Sequence, residues 1–361
     1  MKQLFTIITL LISVYSSAQE TNIVILNKKE IANFRETMKA LPEVREMYDS
    51  IYHEAIDLLD HKPHPLEMVY YEGLLDTNPK RVNTMKGFAD IDNVVTFIYA
   101  GYGSDKPEFR QKSKEIITAW AQTYQPTGNP INENKFTAFF WTYYLYKHHF
   151  SKKEQQTVEN WMNGIALAEK NRRQTPNNNW EAKRLKIIGI IGCILQDDNL
   201  IDYSIDGYKK YIATAYFPDG TSNDLHRRDA LSYHVSGIKP CLTAFINLSR
   251  FNPEFGLYSF EAENGASIKK SVEYVVPYAT GEKQRKEWVN TKVKLDKERA
   301  AAGIEKYQPG KLFDPKQAWE MFQWACYYNP GWYSVFENDE TPDYTYTWIG
   351  LLNSPLVRNS K

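Results

Sequence analysis

Apolar residues recur at steps of three and four positions along much of the chain, with charged residues between them. The pattern is clearest over residues 28–59, where it matches one face of an α-helix or of two successive helices. The same spacing predicts further helices over residues 109–124, 135–149, 153–168, 183–195, 208–216, 230–250, 267–278 and 316–328. Helices therefore account for most of the predicted structure.

Alternation of apolar and polar residues, which indicates β-strands, is scarce in this chain. Only residues 24–25 and 344–351 have even a weak extended pattern. Short turns rich in proline, glycine and asparagine separate the helices, and no sequence repeat of fixed period is present. We predict an all-α fold, an incomplete α/α toroid of antiparallel helical hairpins, in preference to an α-solenoid.

The N-terminal residues have the pattern of a cleavable export signal. Lys2 precedes an apolar run over residues 4–14, and Ser16, Ser17 and Ala18 follow it. The run is too short for a permanent membrane span, which needs roughly 20 apolar residues, and no later stretch approaches that length. We expect a signal peptide at residues 1–18, one domain over residues 19–361, and a periplasmic or secreted protein without a membrane span.

The composition restricts the kinds of partner and cofactor that the chain is expected to bind. Positive and negative side chains balance at 44 each, and the one compact basic run is residues 283–286, so nucleic-acid binding is not expected. Cys193, Cys241 and Cys326 are odd in number and widely spaced, which favours buried thiols over a disulfide framework. No histidine, cysteine or carboxylate spacing completes a metal-ligand set, and we expect no metal or other cofactor.

The polar groups with the clearest chemical potential lie in residues 219–234 and in the amide cluster at residues 177–179. Abstracting the proton beside a uronate carboxylate places more charge on an anionic group, so that carboxylate must be neutralised. Asparagine amides and arginine guanidinium groups suit this purpose. A tyrosine, with a phenol pKa of about 10, acts as a base when adjacent cations stabilise its phenolate.

Tyr233 is the candidate base because four cationic or titratable side chains lie within a few residues of it. They are His226, Arg227, Arg228 and His234. If residues 226–234 form one continuous helix, Arg227 points away from Tyr233. The turn before them, however, leaves room for an irregular connection that would place Arg227 beside Tyr233. The alternative interpretation is a solvated helix start with Tyr233 half buried.

The segment Asn177-Asn178-Asn179-Trp180 and the run from Arg227 to His234 resemble two signature regions of the alginate lyase superfamily. Residues 128–133 and 265–281 fit the same pattern, so that the resemblance extends from about residue 67 to residue 328. The superfamily comprises secreted polysaccharide lyases with an α/α toroid, and the resemblance implies the same fold and chemistry here.

The resemblance also implies roles for individual residues. Tyr233 matches the tyrosine that serves as base and often as acid in syn elimination, Arg227 or Arg228 its supporting arginine, and Asn178 the amide that binds the uronate carboxylate. Asn179 stands where the best-known branch has a histidine, and Lys183 where related branches have one. Both are expected to contact substrate, as is Trp180.

A third departure lies at His226, where those lyases carry an arginine seven residues before the tyrosine. His226, His234 or Lys183 then supplies the missing neutralising group, or the substrate differs from alginate. His234 is accordingly expected at the catalytic centre, and His226 and Arg228 in the substrate site.

The leading hypothesis is a lyase that cleaves an acidic polysaccharide or oligosaccharide of alginate, ulvan or glucuronan type by β-elimination. A dehydratase that expels water from uronate-containing oligosaccharides is a close variant. An α/α-toroid glycoside hydrolase using Asp219, Asp224 or Asp229 and a non-catalytic glycan-binding protein are the remaining alternatives. The polar segment of residues 282–311, here called the excursion, is either a surface feature or a lid.

Overall fold

The computed structural model describes residues 24–173, 177–335 and 347–358. The expected signal peptide, residues 1–18, lies outside these ranges. The helices are α1 (Lys28–Ala40), α2 (Pro42–Asp57), α3 (Pro79–Gly103), α4 (Pro107–Thr123), α5 (Pro130–Glu133), α6 (Thr137–Tyr146), α7 (Lys152–Lys170), α8 (Asn179–Leu195), α9 (Asp198–Ala215), α10 (Asn223–Arg228), α11 (Leu231–Phe251), α12 (Ile268–Ala279), α13 (Lys294–Ala301), α14 (Lys316–Ala325), α15 (Trp348–Asn353) and α16 (Pro355–Arg358).

Successive helices pack as hairpins in two layers, which confirms the predicted α/α arrangement. Helices α3, α6, α8 and α11 are buried over most of their length. Amphipathic helices α2, α4, α7 and α9 pack against them with one apolar face each. No β-strand occurs within the described ranges, and none of the helices there is long and apolar enough to cross a membrane.

The helix ends follow from local sequence. Asn27 and Glu30 form a capping box at α1, and Ser151 and Glu154 form another at α7, so each pair satisfies backbone N–H groups that the first turn leaves free. Proline occupies the first position of α2, α3, α4 and α5, where its missing N–H costs nothing.

Four sequence predictions differ from the structure. Helix α3 was absent from them because it is buried on most sides over its second half, with polar residues such as Asp90 and Asn93 among the buried ones, so that no apolar stripe marks a period. Helix α9 begins at Asp198, ten residues before the predicted start at residue 208. The extended interpretation of residues 344–351 is wrong where α15 forms, while residues 344–346 lie outside the described ranges. Residues 24–25 form no strand.

Helix α8 is held unusually close to α9, and this fixes the position of its N-terminus. A Cβ atom on Gly192 would lie 3.0 Å from the backbone nitrogen of Ile201, and one on Gly189 would lie 2.4 Å from Ser204 Oγ. Only glycine permits this approach without displacing backbone. The three cysteines are buried and free, as the sequence predicts.

A pair of buried carboxyl groups lies beside this N-terminus. Glu133 Oε1 accepts hydrogen bonds from the Tyr124 hydroxyl (3.0 Å) and from the backbone N–H of Gly128 (3.2 Å). Glu133 Oε2 and both oxygens of Glu169 have no hydrogen-bond donor within the described structure. Burial, followed by the proximity of Glu133, raises the pKa of Glu169 well above its ordinary value. Glu169 therefore keeps its proton at neutral pH and can share it with Glu133 in a hydrogen bond.

Replacing Glu169 with glutamine is expected to stabilise the protein at neutral and alkaline pH. The pKa of Glu169 is higher in the folded than in the unfolded protein. Its contribution to the free energy of unfolding is therefore fully present below pH 4.5, its ordinary pKa, and is lost as the pH rises through the folded-state pKa. The advantage of Glu169→Gln should grow by up to about 1.4 kcal/mol per pH unit between the ordinary pKa of 4.5 and the folded-state pKa of about 9, and stay constant above it. Chemical denaturation across this range measures it.

Glu36→Gln is the matched control, because Glu36 is exposed and pairs only with Lys39 on the protein surface. Its stability difference from the wild type should stay flat with pH. An equally flat profile for Glu169→Gln would contradict the raised pKa of Glu169.

Candidate active site

The connection between α10 and α11 places an arginine on the face of Tyr233. Ser222 caps α10, and Asp229 ends it in a left-handed conformation with φ of 50°. This break turns the chain so that the Arg228 guanidinium carbon lies 3.9 Å from the centroid of the Tyr233 ring. The irregular connection expected from the sequence is present, but it brings Arg228 rather than Arg227 to Tyr233. Arg227 is exposed.

The hydroxyl of Tyr233 meets the excursion. Tyr307 Oη lies 3.5 Å from Tyr233 Oη, and Arg299 Nη1 donates to Tyr233 Oη at 3.4 Å. Arg299 Nη1 also donates to Tyr307 Oη at 3.0 Å. Trp288 packs edge-on against the Tyr233 ring, with the centroids 5.6 Å apart. Tyr233 itself is half buried.

The excursion is closed at its base by backbone hydrogen bonds. Glu287 N donates to Lys311 O, and Phe313 N donates to Arg285 O, both at 2.8 Å. The two ends of the segment therefore lie side by side. Helix α13 and a 3₁₀ turn at Glu305–Tyr307 form its outer part.

Several contacts dock the excursion onto the α10–α11 connection. Trp288 N donates to Asp229 O at 2.8 Å, and Arg285 Nη2 lies 2.8 Å from Asp229 Oδ1. Arg228 forms an ion pair with the buried carboxylate of Asp296. Trp288 is buried and has φ of 66°, an uncommon conformation for a bulky residue. The excursion thus forms one wall of the candidate site.

Sequence reasoning missed Trp288, Arg299 and Tyr307 because they lie more than fifty residues beyond Tyr233, outside any motif. The available signal was the presence of two large aromatic residues in an otherwise polar segment. Aromatic side chains there are best explained by packing against another part of the molecule.

The N-terminus of α8 contributes the amide cluster. Asn178 Oδ1 caps the helix by accepting from Trp180 N at 3.0 Å, and Asn178 is partly exposed. Asn179 is buried, and its backbone N–H donates to Asp224 Oδ2 at 2.9 Å. This bond joins α8 to α10 and so brings the two sequence segments together.

Asp224 lies at the centre of the charges of the site. Burial raises the pKa of Asp224 to about 6, while Arg228, the Asn179 N–H and Lys183 oppose the increase. Lys183 follows Asn179 by one helical turn and is also buried. The two expected substrate residues Asn179 and Lys183 therefore lie on the Asp224 side of α8.

The two histidines occupy other positions than the resemblance implies. His234, expected at the catalytic centre, is fully buried, with Nδ1 2.7 Å from Ser222 Oγ and Nε2 3.3 Å from Ser271 O. Burial lowers its pKa to about 4, which keeps it neutral. Successive residues of a helix point about 100° apart, so His234 faces the core while Tyr233 faces the excursion. His226 is exposed, 2.8 Å from Thr221 Oγ1.

Trp180 is partly exposed beside Asn178, and the Arg172 guanidinium lies 4.9 Å from its ring centroid. Within the described ranges, no group of three histidine, cysteine or carboxylate side chains is placed to hold a metal ion. The assembled site offers a phenol between two guanidinium groups, with amides and a buried ammonium group nearby. Such a set can accept a proton and neutralise an anionic ligand.

The fold has counterparts among known proteins. The alginate lyase family matches residues 48–285. An alginate lyase from Bacteroides ovatus superposes with a TM-score of 0.66 at 16% identity, over 92% of this chain and 99% of that chain. Alginate lyase A1-III from Sphingomonas species A1 gives 0.53 at 17% identity, over 80% and 92%. A variant of A1-III complexed with a tetrasaccharide gives 0.51 at 17%, over 72% and 83%.

No curated protein matches the chain in sequence. At these identities the structural likeness establishes the shared α/α toroid, while the family match covers most of the chain and includes both the Asn178 and the Tyr233 segments. The chain belongs to the alginate lyase family.

Proposed function

We propose that this protein is an exported lyase that cleaves a uronate-containing polysaccharide or oligosaccharide by β-elimination, with Tyr233 as base and acid. The observation that carries the proposal is the placement of Tyr233, whose ring lies against Arg228 and whose hydroxyl contacts Arg299. A tyrosine that takes a proton from carbon does so as its phenolate, a form that adjacent guanidinium groups favour.

The reaction follows from this arrangement. The Tyr233 oxygen takes the proton from the carbon beside the uronate carboxylate, and the released electron pair forms a carbon–carbon double bond. The glycosidic bond at the neighbouring carbon breaks, and Tyr233 returns the proton to the departing sugar oxygen. The enzyme ends unchanged, and one product carries an unsaturated uronyl end.

Asn178 is the proposed partner of the uronate carboxylate. Its Oδ1 is used in the helix cap, so its Nδ2 group remains to donate to a ligand. The first backbone N–H groups of α8 already have acceptors in Asp224 and Asn178, which leaves carboxylate binding to side chains. The complex of an A1-III variant with a tetrasaccharide supports an oligosaccharide ligand for this protein.

The hydrolase alternative is weakened by the state of its carboxylates. Asp219 accepts from Thr221, Asp224 from Asn179, and Asp229 pairs with Arg285. Each of these three carboxylates therefore stabilises a turn, a helix end or the connection beside it. A glycosidase needs two carboxyl groups free to face the bond.

Tyr233→Phe is expected to lower the elimination rate by about 10²–10⁴-fold, because the phenol oxygen that transfers the proton is removed. The ring and its contact with Arg228 remain, so the melting temperature should change little. Alginate, ulvan and glucuronan are offered as substrates, and absorbance of the unsaturated uronate measures turnover. Mass spectrometry of the products separates chain cleavage from loss of water.

Tyr52→Phe serves as the control, since Tyr52 lies on the outer helix α2 and should leave activity unchanged. Full turnover by Tyr233→Phe would exclude its catalytic role. New chain ends without new absorbance would indicate hydrolysis, and binding without any product a non-catalytic glycan-binding protein.

Asn178→Asp is expected to lower activity by about 10²–10³-fold. Aspartate still caps α8, so stability should hold, but it cannot donate to the substrate carboxylate and repels it. Asn178→Ser is the companion variant, because it keeps the cap without adding charge and should be less impaired. Equal activity of Asn178→Asp and the wild type would remove Asn178 from the site.

A further inference from the structure

The cation nearest to the Tyr233 hydroxyl comes from the excursion. Arg299 Nη1 lies 3.4 Å from Tyr233 Oη and 3.0 Å from Tyr307 Oη, so one guanidinium nitrogen connects the two phenols. The Arg299 guanidinium also lies 4.9 Å from the centroid of the Tyr307 ring. Arg299 and Tyr307 thus form one unit, fixed to each other before either contacts Tyr233.

The excursion lies almost wholly outside the part of the chain that defines the family. The family match ends at residue 285, whereas Arg299 and Tyr307 lie fourteen and twenty-two residues further on. Inside the match, His226 occupies the position where related lyases carry an arginine, and its ring is bonded to Thr221. The positive charge at the Tyr233 oxygen is therefore supplied by a different part of the chain.

Arg228 is a weaker source of charge at that oxygen. Its guanidinium group lies over the ring face, and the buried carboxylate of Asp296 neutralises it. Within the described ranges, the two side-chain acceptors of Arg299 are phenol oxygens, and Asp296, which pairs directly with Arg228, acts on Arg299 only from a longer distance. A guanidinium group without a carboxylate partner exerts a larger field on its neighbours.

We propose that Arg299 is the residue that stabilises negative charge on the Tyr233 oxygen during proton transfer, with Tyr307 as the positioning residue that holds it there. This assignment rests on the proposed β-elimination. Arg299 remains protonated throughout, because the proton moves only between substrate carbon, Tyr233 and the departing oxygen. Burial raises the pKa of Tyr307, so Tyr307 stays a neutral phenol at the pH of catalysis.

The docking of the excursion makes this arrangement rigid. The Trp288 ring packs against both tyrosines, with its centroid 5.6 Å from that of Tyr233 and 5.0 Å from that of Tyr307. Its backbone N–H is bonded to Asp229 O, and both residues are left-handed. Backbone strain of this kind persists where the surrounding contacts fix it, and it is common at functional sites.

Arg299→Met is expected to lower kcat by about 10²-fold with little change in KM, because it removes the charge that acts during proton transfer. The pH–rate profile should shift towards higher pH. Arg299→Lys should recover part of the loss, and Tyr307→Phe should cause a smaller loss of about tenfold. Lys294→Met is the control, since it removes an exposed positive charge from the same helix α13.

A second measurement does not need turnover. The tyrosinate absorbance of the wild type minus that of Tyr233→Phe isolates the ionisation of Tyr233, and the same difference is taken in the Arg299→Met background. The signal should appear at higher pH in that background and be unmoved by Lys294→Met. Identical titrations with and without Arg299 would overturn the assignment.

The two measurements separate the two proposals. If no substrate is cleaved by the wild type, the proposed function fails, while the titration still decides the influence of Arg299 on Tyr233. If elimination occurs and Arg299→Met retains full kcat and an unshifted pH profile, the lyase assignment stands and the role of Arg299 is rejected. Full activity of Tyr307→Phe would reject its positioning role.

Discussion

The hydrogen bond from Asn179 N to the buried carboxylate of Asp224 is the contact on which the site depends. It ties the first turn of α8 to α10 across a gap of 45 residues in sequence. Helix α8 is itself fixed by its close packing against α9, so α10 and the following Tyr233 are positioned relative to a rigid helix. A buried carboxylate with one backbone donor is costly in isolation, and the surrounding Arg228 and Lys183 offset that cost.

Some polar residues at the site stabilise the protein structure, and others remain to bind a ligand. Asp224, Asp229 and Asp296 each neutralise or anchor a protein group, and His234 is used inside the core. Ligand recognition is therefore left to side chains with remaining donors or acceptors. Charge balance in the whole chain is consistent with this local arrangement, because zero net charge offers no long-range attraction for an anionic polymer.

Amphipathic helices could be predicted from sequence because their apolar face repeats with the helical period, as in α2 and α7. Helix α3 could not, since burial on most sides of its second half removes the contrast that periodicity needs. The same division applies to the site. Tyr233 and Asn178 lie in segments with recognisable local patterns, whereas Arg299 reaches Tyr233 only through tertiary contacts that no spacing encodes.

The side-by-side ends of the excursion have an evolutionary consequence. Because residues 285–287 and 310–313 are bonded to each other, the intervening segment can change in length or sequence without moving α12 or α14. Closing a loop of different length between fixed ends costs little free energy. The wall beside the tyrosine can thus vary while the helical scaffold that carries it stays in place.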